Sequence, residues 1–248
     1  MFFAIFGRFY LLQTLNLMNI ITIFNKTEGL TSMPNSVFVD NHVSEPKIDP
    51  DTYFISSKLP SKPIYIGNFR KEGCVGPDTF AQLSWIPYKG FHLIMWSYNK
   101  NPLARFLNPN DPVCKDSCME CFLDVFPDYR YKGYINIEMN ANGTCLCAFG
   151  PNRQDRKFVT DLGFAQPKIT VTRTFRDGGE CWMASTMITT DLIEGLYGLS
   201  SKLRSGHKMR ANFYTCAEDV DKPYWGSWAP VGKLDFHMPE YFGHLEIT

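Results

Sequence analysis

The sequence lacks any imbalance of charge. Its 25 basic and 25 acidic residues cancel, and no block of like charge occurs. Nucleic-acid binders usually carry a basic surface, so this balance argues against nucleic acid as a partner. The sequence also lacks a glycine-rich phosphate loop, an internal repeat and a rhythm of alternating strands and helices, which argues against nucleotide-binding folds.

An uninterrupted apolar run is missing as well. Residues 1–24 are strongly apolar, but polar residues such as Arg8 interrupt them. A membrane span needs about 20 mostly apolar residues, and a secretory signal needs a basic start and a small-residue cleavage site. We therefore expect residues 1–33 to be a non-functional or loosely packed extension, with a degenerate signal or anchor as the second interpretation. Met18 or Met33 could be the true start.

The rest of the chain divides into two parts. Residues 34–77 are polar and contain several prolines, which predicts a linker with one or two edge strands, such as residues 63–69. Residues 78–248 contain short strand patterns, and we expect one β-domain there. With 44% hydrophobic residues, the chain can form a substantial core.

Eight cysteines are a high count. The spacing Cys114-x3-Cys118-x2-Cys121 invites a zinc interpretation, but an odd offset within a strand places Cys118 and Cys121 on opposite faces. Cys145 and Cys147 share one face of another strand, with no histidine pair nearby. We expect buried free thiols first, disulfides second and zinc third. The chain is too large to need a disulfide framework, so the redox compartment stays open, with a cytoplasmic location slightly favoured over secretion.

Aromatic residues are abundant, with 20 Phe, 12 Tyr and 5 Trp. Strands favour such residues. Sugar-binding surfaces use them too, because an aromatic ring offers a flat apolar face to a pyranose. Most of these residues are expected to lie in strands and in the core.

The clearest strand pattern lies at residues 134–140, where apolar and polar residues alternate. The apolar face holds Ile135, Ile137 and Met139, and the polar face holds Tyr134, Asn136, Glu138 and Asn140. The Asn142-Gly143 pair that follows predicts a hairpin with a type I′ turn. Asp177-Gly178-Gly179 predicts another turn, and residues 190–203 are the only helix-like stretch. Repeated short strands joined by turns predict an all-β fold, an antiparallel β-sandwich.

Four segments resemble a known family when they are taken together and in order. They are residues 111–123 (Asp-Pro-Val-Cys-Lys-Asp-Ser-Cys-Met-Glu-Cys-Phe-Leu), 134–140 (Tyr-Ile-Asn-Ile-Glu-Met-Asn), 210–216 (Arg-Ala-Asn-Phe-Tyr-Thr-Cys), and 227–230 (Ser-Trp-Ala-Pro) running into 235–243 (Asp-Phe-His-Met-Pro-Glu-Tyr-Phe-Gly). They resemble carbohydrate-binding module family 9, in particular its stand-alone members. The resemblance implies a jelly-roll-like sandwich without catalysis. It also implies a domain that holds a monosaccharide, an oligosaccharide or the end of a glycan, often beside glycoside-degrading enzymes in polysaccharide catabolism.

The resemblance implies roles for individual residues. Trp228 matches a tryptophan that stacks on the sugar, and Glu120 matches a carboxylate that accepts sugar hydroxyls. Asn212 lies in a strand that lends polar contacts. The alternative for Trp228 is a structural role in which it caps one end of the sandwich.

The second stacking tryptophan of the family would fall at Val113. Trp225 or Tyr224 would then have to supply the other ring. Without such a ring, we expect weak affinity or a different ligand.

The polar face of residues 134–140 has two interpretations, since Asn136 and Glu138 could face solvent or line a binding sheet. Arg210 could pair with Glu138 or meet a ligand hydroxyl. Asp116 is expected to bond backbone groups in a turn, and Glu120, if structural, to pair with Arg or Lys.

The sequence is compatible with two other functions. A glycosidase could use Glu120 and Glu138 as its carboxylate pair. A haem or redox site could use His237 with Met238, or Met139, as axial ligands. We expect no catalytic residues.

The sequence contains few of the ligands that a metal site needs. Asp235 and His237 could bind a metal only with further ligands. Calcium occurs in some relatives, but no dense carboxylate loop is present. We expect no cofactor, with calcium as the alternative.

Overall fold

The computed structural model describes residues 52–57, 61–69, 74–129, 133–200, 203–233 and 235–248. These residues belong to a single compact unit. The predictions for residues 1–33, and for residues 34–51 of the linker, lie outside the described residues.

The described residues form 14 strands, one α-helix and two 3-10 turns. The strands are β1 Tyr53–Ile55, β2 Ile64–Tyr65, β3 Asn68–Phe69, β4 Thr79–Ile86, β5 Gly90–Ser97, β6 Cys118–Asp124, β7 Tyr134–Asn140, β8 Cys145–Gly150, β9 Lys157–Phe158, β10 Thr170–Arg176, β11 Gly179–Thr189, β12 Lys208–Ala217, β13 Tyr224–Ser227 and β14 Gly243–Ile247. The helix is α1 Thr190–Tyr197, and the turns are Val113–Lys115 and Pro239–Tyr241. No helix in the described part of the chain has the length and apolar character that a membrane crossing requires.

The strands pair into two sheets. Sheet A has nine strands in the order β1-β14-β12-β6-β7-β8-β9, with β13 joined to β12 and β3 joined to β13. Sheet B has five strands in the order β10-β11-β5-β4-β2. The pairs are antiparallel except β1 with β14, which run parallel at one edge of sheet A. The predicted antiparallel sandwich is therefore confirmed, with one parallel edge pair.

The main core lies between the two sheets. On β7, Ile135, Ile137 and Met139 are fully buried in it, which confirms the predicted apolar face. On β6, Cys121 belongs to this core, whereas Cys118 faces the opposite side, as the odd spacing predicted. Each such buried aliphatic side chain stabilises the fold by about 1.5–3 kcal/mol relative to exposure.

The opposite face of sheet A is buried as well. Loops cover it, and a second apolar cluster forms there, with Phe122, Tyr134 and Tyr214 beneath Phe236 and Phe242. The polar side chains of this face are also buried, so the interpretation of a solvent-exposed face is wrong. They are Glu120, Asn136, Glu138 and Asn140. Sheet A must therefore satisfy polar groups internally on this face.

Both predicted hairpins are present, but the type I′ turn lies in the second hairpin and not in the first. Of the residues at Asn142-Gly143, only Gly143 has positive φ, and Gly143 N–H donates to the Asn140 carbonyl at 3.0 Å. The loop thus has three residues with glycine in the left-handed position, and the predicted type I′ turn is wrong. At the second hairpin, Asp177 and Gly178 have φ of 47° and 83°, which is the type I′ pattern.

The helix-like stretch forms a short helix, α1. The Thr189 hydroxyl accepts a hydrogen bond from Leu192 N–H at 3.2 Å and caps its start. Gly198, with φ of 64°, ends the helix in the left-handed conformation. The glycine therefore stops the helix well before residue 203.

Asp116 fixes the loop that leads into β6. Its fully buried carboxylate accepts hydrogen bonds from the backbone N–H groups of Arg105 and Phe106 at 2.8 and 3.0 Å. It also accepts one from Asn140 Nδ2 at 3.0 Å. The predicted structural role of Asp116 is confirmed.

Replacing Asp116 should destabilise the protein. We expect Asp116→Ala to lower the free energy of unfolding by about 3 kcal/mol, because several buried donors lose their acceptor and each costs about 1–3 kcal/mol. Urea unfolding measures this loss. The matched control is Asp219→Ala, which removes the exposed partner of Arg105 at 2.9 Å and should change little. Equal losses in the two variants would contradict the role of Asp116.

Candidate functional site

A cleft of about 320 Å³ lies over the covered face of sheet A. Strands β6, β7 and β12 form its floor and contribute Glu120, Glu138 and Cys216. Strand β13 and two loops form its sides. The lining consists of Pro112, Cys114, Glu120, Glu138, Leu146, Arg153, Arg156, Cys216, Glu218, Trp225, Asp235, Phe236 and His237. The cleft therefore combines titratable side chains with aromatic rings.

Strand register brings the floor residues together. Glu120 on β6 lies directly opposite Glu138 on β7 and opposite Tyr214 on β12. Cys216 lies two residues beyond Tyr214, on the same face of β12, because side chains alternate along a strand. Residues from β6, β7 and β12 thus share one surface, and the pairing of the strands alone positions them.

Arg156 is the cation of the cleft floor. Its Nη1 lies 3.4 Å from Glu138 Oε1 and also donates to Asn136 Oδ1. Asn136 Nδ2 donates to the same Glu138 oxygen at 3.2 Å. Burial raises the pKa of Glu138, while Arg156 opposes that rise. Arg156 therefore takes the place beside Glu138 that the sequence suggested for Arg210.

Glu120 is the second acid on the cleft floor. Burial, and then the nearby Glu138, raise its pKa well above the ordinary 4.5. Cys216 Sγ donates to Glu120 Oε1 at 3.1 Å. The predicted structural partner, an Arg or Lys side chain, is replaced by this thiol. A neutral carboxyl can both donate and accept hydrogen bonds, which suits a hydroxyl-rich ligand.

His237 forms one side of the cleft as a neutral ring. Burial, and then Arg156, lower its pKa to about 3. Arg156 Nη1 donates to Nε2 at 3.0 Å, so Nε2 is the acceptor and the ring proton is assigned to Nδ1. Nδ1 lies 2.7 Å from the Tyr134 hydroxyl and donates to it. Both ring nitrogens are engaged, which leaves neither of them free for a metal or a haem.

The loop that carries His237 is held by Asp235. Its carboxylate accepts from His237 N–H at 3.0 Å and pairs with Arg153 Nη2 at 3.0 Å. Met139, the other candidate axial ligand, is fully buried in the core between the sheets. The structure therefore separates Met139 from His237.

Two of the predicted site residues lie elsewhere. Trp228 packs against the core between the sheets, with its ring centroid 6.2 Å from Tyr53 and 5.8 Å from Phe213. It borders a second pocket together with Arg210. Arg210 Nη2 donates to the backbone carbonyls of Glu240 and Phe242 at 3.0 and 2.8 Å. The structure does not bring these two residues together with Glu120.

The remaining predicted residues divide between lining and support. Trp225 is half-buried, lies opposite Cys216 in the register, and lines the cleft. Tyr224 is its neighbour on β13 and is buried outside the cleft lining. Asn212 holds the loop after β13, donating to the Ala229 carbonyl at 3.0 Å and accepting from Ala229 N–H at 2.9 Å.

Sequence reasoning missed Arg153 and Arg156. They lie between β8 and β9 in a polar loop with no motif around it. The one local signal is Gly150, where an added Cβ would lie 2.5 Å from Arg156 Cα. This glycine lets the loop approach the end of β8 closely.

The pKa of Glu120 sets a pH dependence. Because its folded-state pKa is raised above 4.5, the stability linked to the protonated acid is present below that pH and is lost as the pH rises through the folded-state pKa. Glu120→Gln should remove this loss. The free energy of unfolding of the variant, relative to that of the parent, should therefore increase as the pH rises. Urea unfolding of the parent and of Glu120→Gln across the pH range measures the difference. A difference that does not change with pH would contradict a raised pKa of Glu120.

Comparisons with known proteins agree with this architecture. The sequence profile of carbohydrate-binding family 9 matches residues 91–247. The structure of a proposed carbohydrate-binding protein from Bacteroides uniformis ATCC 8492 is similar, with 23% identity, coverage of 75% of this chain and 85% of that chain, and a TM-score of 0.61. A carbohydrate binding module of family 9 from Caldicellulosiruptor kristjanssonii in complex with cellotriose is 13% identical, with coverage of 79% and 93% and a TM-score of 0.50. No curated protein matches the sequence significantly. Because the family profile covers more than half of the chain, the chain belongs to carbohydrate-binding family 9.

Proposed function

We propose that the cleft lined by Trp225, Glu138 and Arg156 holds one or two sugar rings and does so without catalysis. The observation that carries this proposal is the meeting of a partly exposed tryptophan with buried acids and a guanidinium in one pocket. Sugar rings need this combination, because each presents an apolar C–H face and a rim of hydroxyls. The family relative from Caldicellulosiruptor kristjanssonii was solved with cellotriose, a ligand of the same class.

The size of the cleft favours a short ligand. Pockets for small molecules occupy about 300–1,000 Å³, and this cleft, at about 320 Å³, lies at the lower end of that range. A monosaccharide or the end of a glycan fits such a volume better than the middle of a long chain.

The polar groups of the cleft supply both kinds of hydrogen bond. Glu138 accepts, and the guanidinium groups of Arg153 and Arg156 donate. Glu120, whose pKa burial raises, accepts as a carboxylate and also donates when it is protonated. Arg156 is already held by Asn136, Glu138 and His237, so little side-chain entropy remains to be lost on binding. A site built in this way should reject analogues that lack a recognised hydroxyl, because a buried group would then be left unpaired.

The carboxyl pair supports binding better than hydrolysis. Glu120 and Glu138 are direct neighbours on paired strands and both belong to the floor of the cleft. The two carboxyls therefore contact a ligand from the same side. A glycosidase places its two carboxyls on either side of the scissile bond. Association with a glycoside-degrading enzyme in polysaccharide catabolism stays a prediction.

Sugar binding should depend on Trp225 and not on Trp228. We expect Trp225→Ala to weaken binding at least about tenfold, since a buried aromatic anchor contributes about 2 kcal/mol or more. A glycan array followed by affinity electrophoresis measures this. Trp228→Ala is the control, which should lower thermal stability and keep binding in the folded fraction. If binding is instead lost in Trp228→Ala and kept in Trp225→Ala, the ligand lies in the second pocket.

The absence of catalysis is tested directly. We expect the protein to release no product from a panel of aryl glycosides while it binds the matching sugars. Turnover that disappears in Glu120→Gln or Glu138→Gln would show that the pair acts as a glycosidase site.

A further inference from the structure

Three potential metal ligands converge at the floor of the cleft. They are the thiols of Cys118 and Cys216 and the carboxyl of Glu120, whose ligand atoms all lie within 4.8 Å of one another. Their exposed fractions are 1%, 1% and 3%. No other such group of His, Cys, Asp and Glu is found among the residues that the structure describes. This set differs from the one that spacing along the sequence suggested, since Cys121 points into the opposite core.

The sheet itself assembles this group. Cys118 on β6 lies directly opposite Cys216 on β12. Glu120 follows two residues later on β6 and therefore projects from the same face. Two paired strands hold all three Cα atoms, so the group needs no loop movement to form.

The spacing suits a tetrahedral ion. Zinc binds thiolate sulfur at about 2.3 Å and carboxylate oxygen at about 2.0–2.2 Å, so its ligand atoms lie about 3.5–3.8 Å apart. Cys216 Sγ and Glu120 Oε1 are already 3.1 Å apart. The remaining separations, at most 4.8 Å, need only small side-chain rotations to close.

Access and charge also favour a cation. Cys216 and Glu120 both line the cleft, so an ion can reach the group and keep a position open toward solvent. The two thiols lose their protons when a divalent ion binds, and Glu120 binds as a carboxylate. The two thiolates and the carboxylate then exceed the charge of the ion by one, and Arg156 and Arg153 lie close enough to stabilise negative charge on Glu120.

We propose that Cys118, Cys216 and Glu120 form a site for Zn²⁺ whose fourth position opens into the cleft. Thiolate ligands select zinc over calcium or magnesium, which prefer oxygen. Three protein ligands and one open position are the arrangement of zinc sites that exchange a water or a ligand. The competing interpretation is that the thiols act only as small apolar side chains.

Cobalt substitution tests the proposal. The full chain is reduced, freed of metal with a chelator and titrated with Co²⁺. We expect one Co²⁺ per chain, with thiolate-to-cobalt charge-transfer absorption and the intense visible bands of tetrahedral cobalt, and displacement by Zn²⁺. Cys118→Ser and Cys216→Ser should each lower the charge-transfer absorption, because one thiolate ligand is lost, and the double variant should lack it. Glu120→Gln should weaken affinity at least tenfold.

The matched control is Cys181→Ser, which removes a buried thiol from sheet B and should leave the cobalt spectrum unchanged. Zinc X-ray absorption of the parent protein is a second measurement that does not require the variants to fold, and it should show two sulfur ligands. The proposal is overturned if the parent binds no metal, if zinc has no sulfur ligand, or if the cobalt spectrum is unchanged in both cysteine variants. No sugar takes part in these measurements, so their failure is distinct from a failure of sugar binding.

Discussion

The burial of sheet A on both faces is the constraint on which the rest of the structure depends. One face packs on sheet B through aliphatic side chains, and the other lies under loops. Because side chains alternate along each strand, the second face carries the polar residues of β6 and β7 into a buried setting. Those polar groups need internal partners, and both the loops and the neighbouring strands supply them.

The partners meet this need in two places. At one end, Asp116 and Asn140 satisfy backbone groups of the loop before β6 and so fix its position. At the cleft, Arg156 bonds to Asn136, Glu138 and His237. Two neighbouring acids tolerate burial there because the pKa of Glu120 is raised and Arg156 offsets the charge of Glu138. A cleft with fixed hydrogen-bonding groups follows from the requirements of the fold.

Two tryptophans three residues apart show how far local sequence can mislead. Trp225 lies on β13 over the cleft, whereas Trp228 lies beyond the end of β13 and packs on the core between the sheets. The family resemblance drew attention to Trp228 and to Val113, which is fully buried in the cluster under the loops. The position of Trp225 shows that an aromatic ring can border the cleft from a different segment of the chain.

The sequence by itself determined the strand alternation, the two hairpins, the opposite faces of Cys118 and Cys121, and membership of the family, because each rests on residues close together in the chain or on an ordered set of motifs. Only the tertiary structure decided that the polar face of β7 is buried, that Arg156 and His237 join it, and that Cys118 meets Cys216. Arg156 and His237 are 81 positions apart, and Cys118 and Cys216 are 98 positions apart. Such contacts depend on how loops pack and on which strands become neighbours, and a local pattern of residues carries no information about either.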